Sequence, residues 1–340
     1  MTITRVWQAG AETGSAAEFD SSSGAEVVTT KYTGDYGYRM HSDNWKWGRA
    51  VIPATRQVRV GCHFHGGGPH SVGNIFYNIV LKTSGGTRIA YTAVRSNMYP
   101  AIYIYNSSDA AVTGKFYKMS QWMHLGIDVK IDSSSGWFTL YINGIQELEW
   151  TGNTGNSDIS WVEFGANGQH GGAGYYQHWD DLYIDDSTGE SSASPLPINR
   201  FFPLTLDGNG NYAQWLGSDG NSTDNYLLLD ERGPSTSDYV VVSGANLNDS
   251  YTMSNYSYFP SDVTYHALIP TIYGYRGEST EEIAIGTRYS STDVVGSGQA
   301  PPTASYNYLF ERQTTKPGGG SWDETSVNGA ELLIKSGGTY

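Results

Sequence analysis

Residues 122–144, WMHLGIDVKIDSSSGWFTLYING, decide the fold of the first half of the chain. Every second residue from Leu125 to Ile131 is apolar, which is the period-two pattern of a half-buried strand. The turn DSSSG leads into a second strand-like run at 137–142, and the Asn-Gly pair at 143–144 tolerates the positive φ angles of a tight hairpin. The stretch predicts a meander of long antiparallel strands, as in a sandwich or jelly roll.

Short strand patterns recur between Gly, Pro and Asn turn signals on both sides of this meander. In the first half they cover 56–65, 74–82, 87–94, 101–105, 145–150, 159–165 and 179–184. In the second half they cover 239–242, 266–269, 283–285, 308–310 and 330–334. The sequence predicts an all-β protein: an N-terminal jelly-roll sandwich followed by a second antiparallel, sandwich-like domain.

Composition supports strands and limits the possible partners. The 340 residues are 14% aromatic and 16% charged, with 42 Gly, 26 Tyr and a net charge of −14. A chain this acidic repels phosphate backbones, so we expect no nucleic-acid partner. The first residues lack a signal-peptide pattern, and no apolar run is long enough for membrane insertion. Cys62 is the single cysteine, so no intrachain disulfide can form.

A polar, Ser-rich segment with two prolines near its end, DDSTGESSASPLP at 185–197, has the composition of a linker. It follows the strand-like run at 179–184. We therefore expect a first domain over 1–187, a linker over 188–197 and a second β-rich domain, with a role in assembly, over 198–340.

The pattern W-x-H-L-x-I-D-V-K-I-D-x-x-x-G-x-F-x-L-Y-I-N-G, which starts at Trp122, resembles the centre of concanavalin-like, laminin-G-like jelly rolls. In that family a strand that opens with Trp and His leads through a turn into a strand that ends in Asn-Gly or Asp-Gly. Residues 9–14 resemble the family's first strand, and 33–39 resemble its T-G-x-Y-x-x-R segment. The resemblance implies the jelly-roll fold for the first domain.

A narrower resemblance extends over nearly the whole chain. Virion proteins of tailed bacteriophages often carry such a jelly roll, whose last strand reads DDLYIDDSTG here, from Asp180. A β-rich domain follows that opens like residues 203–215 and continues like 224–240. This resemblance implies a structural protein of the virion, such as a tail fibre, a baseplate-associated protein or a head decoration protein, assembled in the host cytoplasm. It also implies a homo-oligomer, with a trimer favoured, in contact with other virion proteins.

The sequence contains no pattern typical of an enzyme active site. Glycosidases of the concanavalin-like fold carry two carboxylates in a string such as E-x-D-x-x-E, which is absent. Glu147 and Glu149 share a strand face next to the hairpin turn and are expected to be solvated. A Gly-x-Ser-x-Gly elbow and a phosphate-binding loop are also absent. We therefore expect a protein that is not an enzyme and requires no cofactor.

An acidic cluster near Asp180 is a candidate for a structural calcium, since calcium prefers carboxylate and carbonyl oxygens. In concanavalin-like glucanases such a calcium joins the first and last strands. The resemblance implies Asp180, Glu12 and the carbonyl of Gly34 as ligands. The alternative is an acidic strand end exposed to water.

Cys62, His63, His65 and His70 form the only cluster of soft metal ligands. The two histidines alternate onto one face of a strand, whereas the cysteine points to the other face, which argues against a four-ligand zinc site. We expect surface or interface histidines here and a structural role for His124.

Aromatic side chains near strand or loop ends are candidates for glycan stacking or for an oligomer interface. They are Tyr103, Tyr105, Tyr175, Tyr176 and Trp179. The sequence leaves three functions open. The leading one is the virion protein, with possible binding of cell-surface glycans through its jelly roll. The second is a carbohydrate-binding module or adhesin-like bacterial lectin, and the third is a cryptic glycoside hydrolase.

Overall fold

The computed structural model divides the chain into two compact units, residues 1–202 (unit 1) and 203–340 (unit 2). The structure describes residues 3–41, 46–66, 76–94, 100–104, 111–112, 121–165, 176–191, 203–230, 235–255, 264–277, 282–303 and 305–337.

Unit 1 is built from antiparallel strands, with one 3₁₀ turn at Ala16–Glu18. The strands are β1 (Thr4–Ala9), β2 (Ser21–Ser23), β3 (Ala25–Val28), β4 (Gly37–His41), β5 (Trp47–Thr55), β6 (Gln57–Gly66), β7 (Phe76–Lys82), β8 (Arg88–Val94), β9 (Pro100–Ile104), β10 (Ala111–Val112), β11 (Met123–Lys130), β12 (Gly136–Ile142), β13 (Ile145–Gly152), β14 (Ile159–Gly165) and β15 (Tyr176–Asp186).

These strands form two sheets. The eight-stranded sheet has the order β13-β12-β11-β6-β15-β4-β3, and β1 also pairs with β15. The seven-stranded sheet has the order β10-β9-β8-β7-β14-β5-β2. A continuous apolar core, with members from both sheets, fills the space between them. The all-β, jelly-roll-like fold class predicted from the sequence is confirmed.

The alternation of side chains in the central strands fixes which residues face away from that core. In β6, every second residue from Val58 to Phe64 is buried in the core. Because successive side chains of a strand point to opposite faces, His63 and His65 lie on the other side of the sheet. We call this side the outer face of the eight-stranded sheet. The same argument places His124 of β11 there, between the core residues Met123 and Leu125.

Two backbone features shape the eight-stranded sheet. Asn143 and Gly144 have φ angles of 51° and 78°, so the predicted hairpin turn is confirmed. In β15 the pairing register shifts between Asp180 and Tyr183, and Asp181 has a φ angle of 49°. This β-bulge inserts one residue between the core side chains on either side of it, so two aspartates lie side by side at the outer face.

Unit 2 contains a five-stranded antiparallel sheet, two two-stranded ribbons, a 3₁₀ turn (Asn225–Leu228) and a short helix, α1 (Glu324–Asn328). The sheet has the order β16-β19-β24-β21-β22, and the ribbons pair β17 with β18 and β20 with β23. The strands are β16 (Leu206–Ala213), β17 (Leu216–Gly217), β18 (Val240–Val241), β19 (Asn248–Met253), β20 (Thr271–Gly274), β21 (Ile283–Tyr289), β22 (Thr292–Val295), β23 (Asn307–Phe310) and β24 (Glu331–Ser336). A separate core that includes Trp215, Tyr251 and Trp322 belongs to this unit.

The first residues of the predicted linker, 188–197, pack against unit 1. The side chain of Gln57 donates to the carbonyl of Glu190 at 2.9 Å, and Arg59 donates to the carbonyl of Ser191 at 3.2 Å. The structured part of unit 1 therefore continues past residue 187, and positions 192–197 lie outside the described residues. In the described part of the chain, no helix is long and apolar enough to cross a membrane.

Candidate functional site

Strand pairing brings four histidines together on the outer face of the eight-stranded sheet. His63 of β6 is paired with His124 of β11, and His65 of β6 is paired with His178 of β15. The ring centres are 5.4 Å apart in the first pair and 5.7 Å apart in the second. The two pairs lie in adjacent rows across the sheet, because their β6 members are two residues apart.

Two aromatic rings border these histidines. Tyr32 stacks on His63 with 3.7 Å between ring centres, and Trp122 lies 5.5 Å from His65. The two aromatic rings are 5.9 Å apart. Tyr32 is 37% exposed, and Trp122, His65 and His178 are partly exposed. We call the set of six residues, Tyr32, His63, His65, Trp122, His124 and His178, the imidazole face.

Several imidazole nitrogens of this face have no hydrogen-bond partner among the described residues. Both ring nitrogens of His124 are buried without a partner, as is Nδ1 of His65 and of His178. A buried polar atom without a partner costs about 1–3 kcal/mol. Of these three imidazoles, His65 and His178 are partly exposed and His124 is buried, so water or the hydroxyls of a ligand would approach the face through His65 and His178.

Burial keeps two of these imidazoles in the neutral form. The pKa of His124 is lowered to about 3, chiefly by burial and secondarily by the charge of His63. The pKa of His178 is lowered to about 4, again chiefly by burial, with contributions from His65 and Arg39. A neutral imidazole has one N–H donor and one nitrogen acceptor, which matches a hydroxyl group that both donates and accepts.

The fourth histidine contacts a buried aspartate beneath the aromatic rings. His63 Nδ1 lies 2.9 Å from Asp181 Oδ2, and both side chains are buried. The adjacent Asp180 is also buried, and burial together with the charge of Asp181 raises its pKa. This pair orients the His63 ring that supports Tyr32.

The three residues implied as calcium ligands converge on a single loop, 32–36. Asp180 Oδ2 accepts the backbone N–H groups of Tyr32 and Thr33 at 2.7 and 2.9 Å. Glu12 accepts the N–H of Asp35 at 3.0 and 3.1 Å. Gly34, with a φ angle of 60°, packs against Glu12 so closely that a Cβ atom would lie 1.9 Å from Oε1.

In this arrangement both carboxylates are hydrogen-bond anchors that hold the loop, and with it Tyr32, against the sheet. Within the described residues, no group of three His, Cys, Asp or Glu side chains is placed to hold a metal ion. The oxygens of Glu12 and Asp180 take peptide N–H groups of this loop. Calcium binding by these residues stays a prediction.

The aromatic candidates from the sequence have different positions. The prediction that Trp179 contacts a glycan or a partner is wrong, because Trp179 is fully buried in the core against Phe64 and cannot contact a ligand. Tyr176 lies at the outer face, half-buried, with the guanidinium of Arg39 4.5 Å from its ring centre. Tyr103 stacks on Tyr91 in the seven-stranded sheet, at 4.6 Å. Tyr105 and Tyr175 lie outside the described residues, as does His70.

Sequence reasoning singled out two members of the imidazole face, His63 and His65, as surface or interface residues. It predicted a structural role for His124 and named neither Tyr32 nor His178 as a site residue. The pairing of β6 with both β11 and β15 unites these positions. The H-x-H spacing of β6 was the only sequence pattern that pointed to this face. The spacing of residues within one segment does not specify which strands pair with it or in which register.

The comparisons with known proteins concern the fold alone. No protein-family model matches the chain, and no curated protein matches its sequence. Solved structures similar to it include a cellulose-induced protein, Cip1, with 11% identity, a TM-score of 0.37 and coverage of 47% of this chain and 84% of that one. The binding domain of Paraclostridial Mosquitocidal Protein 1 shares 12% identity, with a TM-score of 0.41 over 53% of this chain and 48% of that one.

A tetrameric galectin from the ball sponge Cinachyrella sp. shares 12% identity, with a TM-score of 0.30 over 40% of this chain and 96% of that one. The TM-scores of these three structures are below 0.5, so they carry no argument about ligands. The two stacked sheets themselves define the class of unit 1, an antiparallel β-sandwich of the jelly-roll type.

Proposed function

We propose that unit 1 is a carbohydrate-binding domain and that its glycan site is the imidazole face. The observation that carries the proposal is the set of unpartnered ring nitrogens on His65, His124 and His178 beside two aromatic rings. The hydroxyls of a sugar can form hydrogen bonds with the ring nitrogens, and the apolar face of its ring can pack on the aromatic rings. The alternative function stated for the sequence, a carbohydrate-binding module or lectin, is thereby preferred to the virion role.

The proposal includes no cleavage of the bound glycan. Glu147 and Glu149, the acidic pair noted in the sequence, belong to β13 at the edge of the eight-stranded sheet. Two strands, β12 and β11, separate β13 from β6, and one strand, β12, separates it from His124 of β11. A glycosidase needs two carboxyl groups across one sugar cleft, roughly 5–10 Å apart, and neither glutamate is a member of the imidazole face.

The test is a panel of polysaccharides and oligosaccharides offered to the purified full chain, with both binding and release of reducing sugar measured. We expect binding without turnover. Tyr32→Ala and Trp122→Ala should weaken the binding about tenfold or more, because each removes a stacking surface at the rim of the site. Ile145→Ala, which removes a 61% exposed apolar side chain from the edge strand β13, is the control and should bind normally.

Binding that survives both Tyr32→Ala and Trp122→Ala, in variants whose circular dichroism is unchanged, would place the glycan elsewhere on the chain. Release of reducing sugar would support the cryptic glycosidase instead. Absence of binding across the panel would remove the proposal altogether.

The role in a tailed-phage virion, with localisation on the particle, is a finer proposal whose support is the motif order of the sequence. Its test is immunoelectron microscopy of purified particles with an antibody against the full chain.

The structural calcium is a further proposal, supported by the convergence of Glu12, Gly34 and Asp180 on one loop. Its test is calcium titration followed by the melting temperature, which should rise in the wild type and not in Glu12→Gln.

A further inference from the structure

A second cluster of aromatic and charged side chains lies on the outer face of the seven-stranded sheet, the side turned away from the core. The guanidinium carbon of Arg49 is 4.4 Å from the ring centre of Trp47 and 4.0 Å from that of Trp161. Trp47 precedes Arg49 by two residues along β5, and Trp161 of β14 is paired with Val51, two residues after it. The two half-buried rings therefore flank the guanidinium from opposite directions along the strand.

The charges of this cluster do not cancel. Glu163 is fully buried, and its carboxylate is shared by Arg49 at 2.7 Å and by Lys82 at 2.6 Å. The Arg49 and Lys82 side chains are only 20% and 10% exposed. Among the side chains of the cluster itself, one carboxylate between two cations leaves an excess of one positive charge. A further carboxylate, that of Asp20, lies beside the cluster and accepts the backbone N–H of Val51 at 2.7 Å. Because the cluster is largely buried, this charge is screened less than one on the open surface.

The hydrogen-bond donors of Arg49 are only partly used. Its Nε and Nη2 atoms both donate to Oε1 of Glu163, at 2.9 and 2.7 Å. Within the described residues no acceptor is bonded to Nη1. Since the two tryptophan rings lie against the guanidinium group, a ligand would reach it at this free edge.

We propose that the cluster of Trp47, Arg49, Lys82, Trp161 and Glu163 is a binding site for a carboxylate-bearing sugar. The carboxylate would accept hydrogen bonds from the Nη1 edge of Arg49, and the pyranose ring would pack on an exposed part of a tryptophan ring. Charge complementarity selects this occupant, because an uncharged sugar gains nothing from the excess positive charge.

The site is separate from the imidazole face, since the two lie on different sheets of unit 1. It does not depend on the function proposed above. A single domain would then recognise two kinds of sugar, one through neutral imidazoles and one through a guanidinium held by tryptophans.

The test compares two probes on the wild-type full chain by isothermal titration calorimetry: trigalacturonic acid and its methyl ester. The probes share their rings and differ in charge. We expect the acid to bind at least about tenfold more tightly than the ester, with an affinity that falls as salt is raised. If the wild type bound the two probes equally, or did not bind the acid at millimolar concentration, this result alone would overturn the proposal.

Variants then locate the binding. Arg49→Lys retains the charge and the contact to Glu163 but loses the planar fork, so it should weaken binding of the acid about tenfold. Ile145→Ala, which changes an exposed residue on the other sheet of unit 1, should bind the acid as the wild type does. Unchanged affinity in Arg49→Lys would overturn the assignment. Ester binding that persists in Arg49→Lys and disappears in Trp122→Ala would belong to the imidazole face and would support only the first proposal.

Discussion

At the scale of single residues, the outer face of the eight-stranded sheet is unusual because it buries polar groups without giving all of them partners. Lower down the same face, Arg59 pairs with Asp128 at 3.2 Å, and the indole N–H of Trp137 donates to that aspartate. Those groups satisfy one another. In the part of the chain that the structure describes, Nδ1 of His65, Nδ1 of His178 and both ring nitrogens of His124 have no partner, and their concentration beside two aromatic rings marks the imidazole face as the place for a ligand.

The buried His124 should make the stability of unit 1 depend on pH. Its pKa is about 3 in the folded protein against an ordinary 6.5, so the folded state binds this proton less readily than the unfolded state. The full stability is therefore present above about pH 6.5 and is lost progressively as the pH falls towards 3. At pH 4.5 we expect a loss of about 2 kcal/mol from this group alone.

The measurement is urea unfolding followed by tryptophan fluorescence at pH 7 and pH 4.5, for the wild type and for His124→Gln. The variant carries no titrating group at this position, so it should lose about 2 kcal/mol less between the two pH values than the wild type. The titratable groups that face His124 from the neighbouring strands, His63 and Tyr183, are retained in both proteins. If the wild type and His124→Gln lost the same free energy of unfolding between pH 7 and pH 4.5, the pKa of His124 would not be lowered in the folded protein.

At the scale of elements, the hairpin between β12 and β13 depends on backbone conformation more than on side chains. Gly144 has a φ angle of 78°, where a side chain is strained. Gly85, in the turn between β7 and β8, has no positive φ, and the nearest atom to an added Cβ would be 3.8 Å away. The two turns therefore offer a matched comparison of the same substitution.

We expect Gly144→Ala to lower the free energy of unfolding by about 1 kcal/mol and Gly85→Ala to leave it nearly unchanged. Thermal unfolding of the two variants and the wild type is the measurement. If Gly85→Ala lowered the free energy of unfolding as much as Gly144→Ala does, the positive φ angle of Gly144 would not be the cause of the loss.

Sequence patterns predicted some elements and missed others for identifiable reasons. The strands of unit 1 from β6 to β15, apart from the two-residue β10, were anticipated, because their apolar residues alternate or form runs, whereas β5 was missed. In unit 2, β16 (LDGNGNYA) and β19 (NDSYTM) were missed. Both consist largely of polar residues and glycine, and they are strands because their backbones pair with each other and with β24. The helix α1 was also missed, since it has only five residues.

At the scale of the whole molecule, the large apolar side chains that remain exposed lie mostly in unit 2 among the described residues. They are Leu216, Leu227, Tyr239, Val241, Tyr275, Val294 and Phe310, each 37–52% exposed. Leu216 and Val241 are paired across the β17–β18 ribbon, so their exposed side chains are adjacent. Exposed apolar groups that cluster in this way are typical of an interaction surface.

This surface supports the homo-oligomer expected from the sequence, which we propose to form through unit 2. We expect sedimentation velocity of the full chain to show an oligomer at micromolar concentration. The double variant Leu216→Ser, Val241→Ser should shift it towards the monomer, because a polar substitution removes apolar area from the contact. Ile145→Ser, which changes a 61% exposed residue in unit 1, is the control. A monomeric wild type would contradict the proposal.

The sequence by itself determined the all-β class, the meander at 122–144 with its hairpin, and the alternation that sends Val58 and His63 to opposite faces of β6. These properties follow from contacts between neighbours along the chain and from the period of a strand. Only the tertiary structure decided that His124 and His178 join His63 and His65, and that Trp179 is a core residue. Strand order, register and the bulge at Asp180–Asp181 set these outcomes, and they depend on packing between segments distant in sequence.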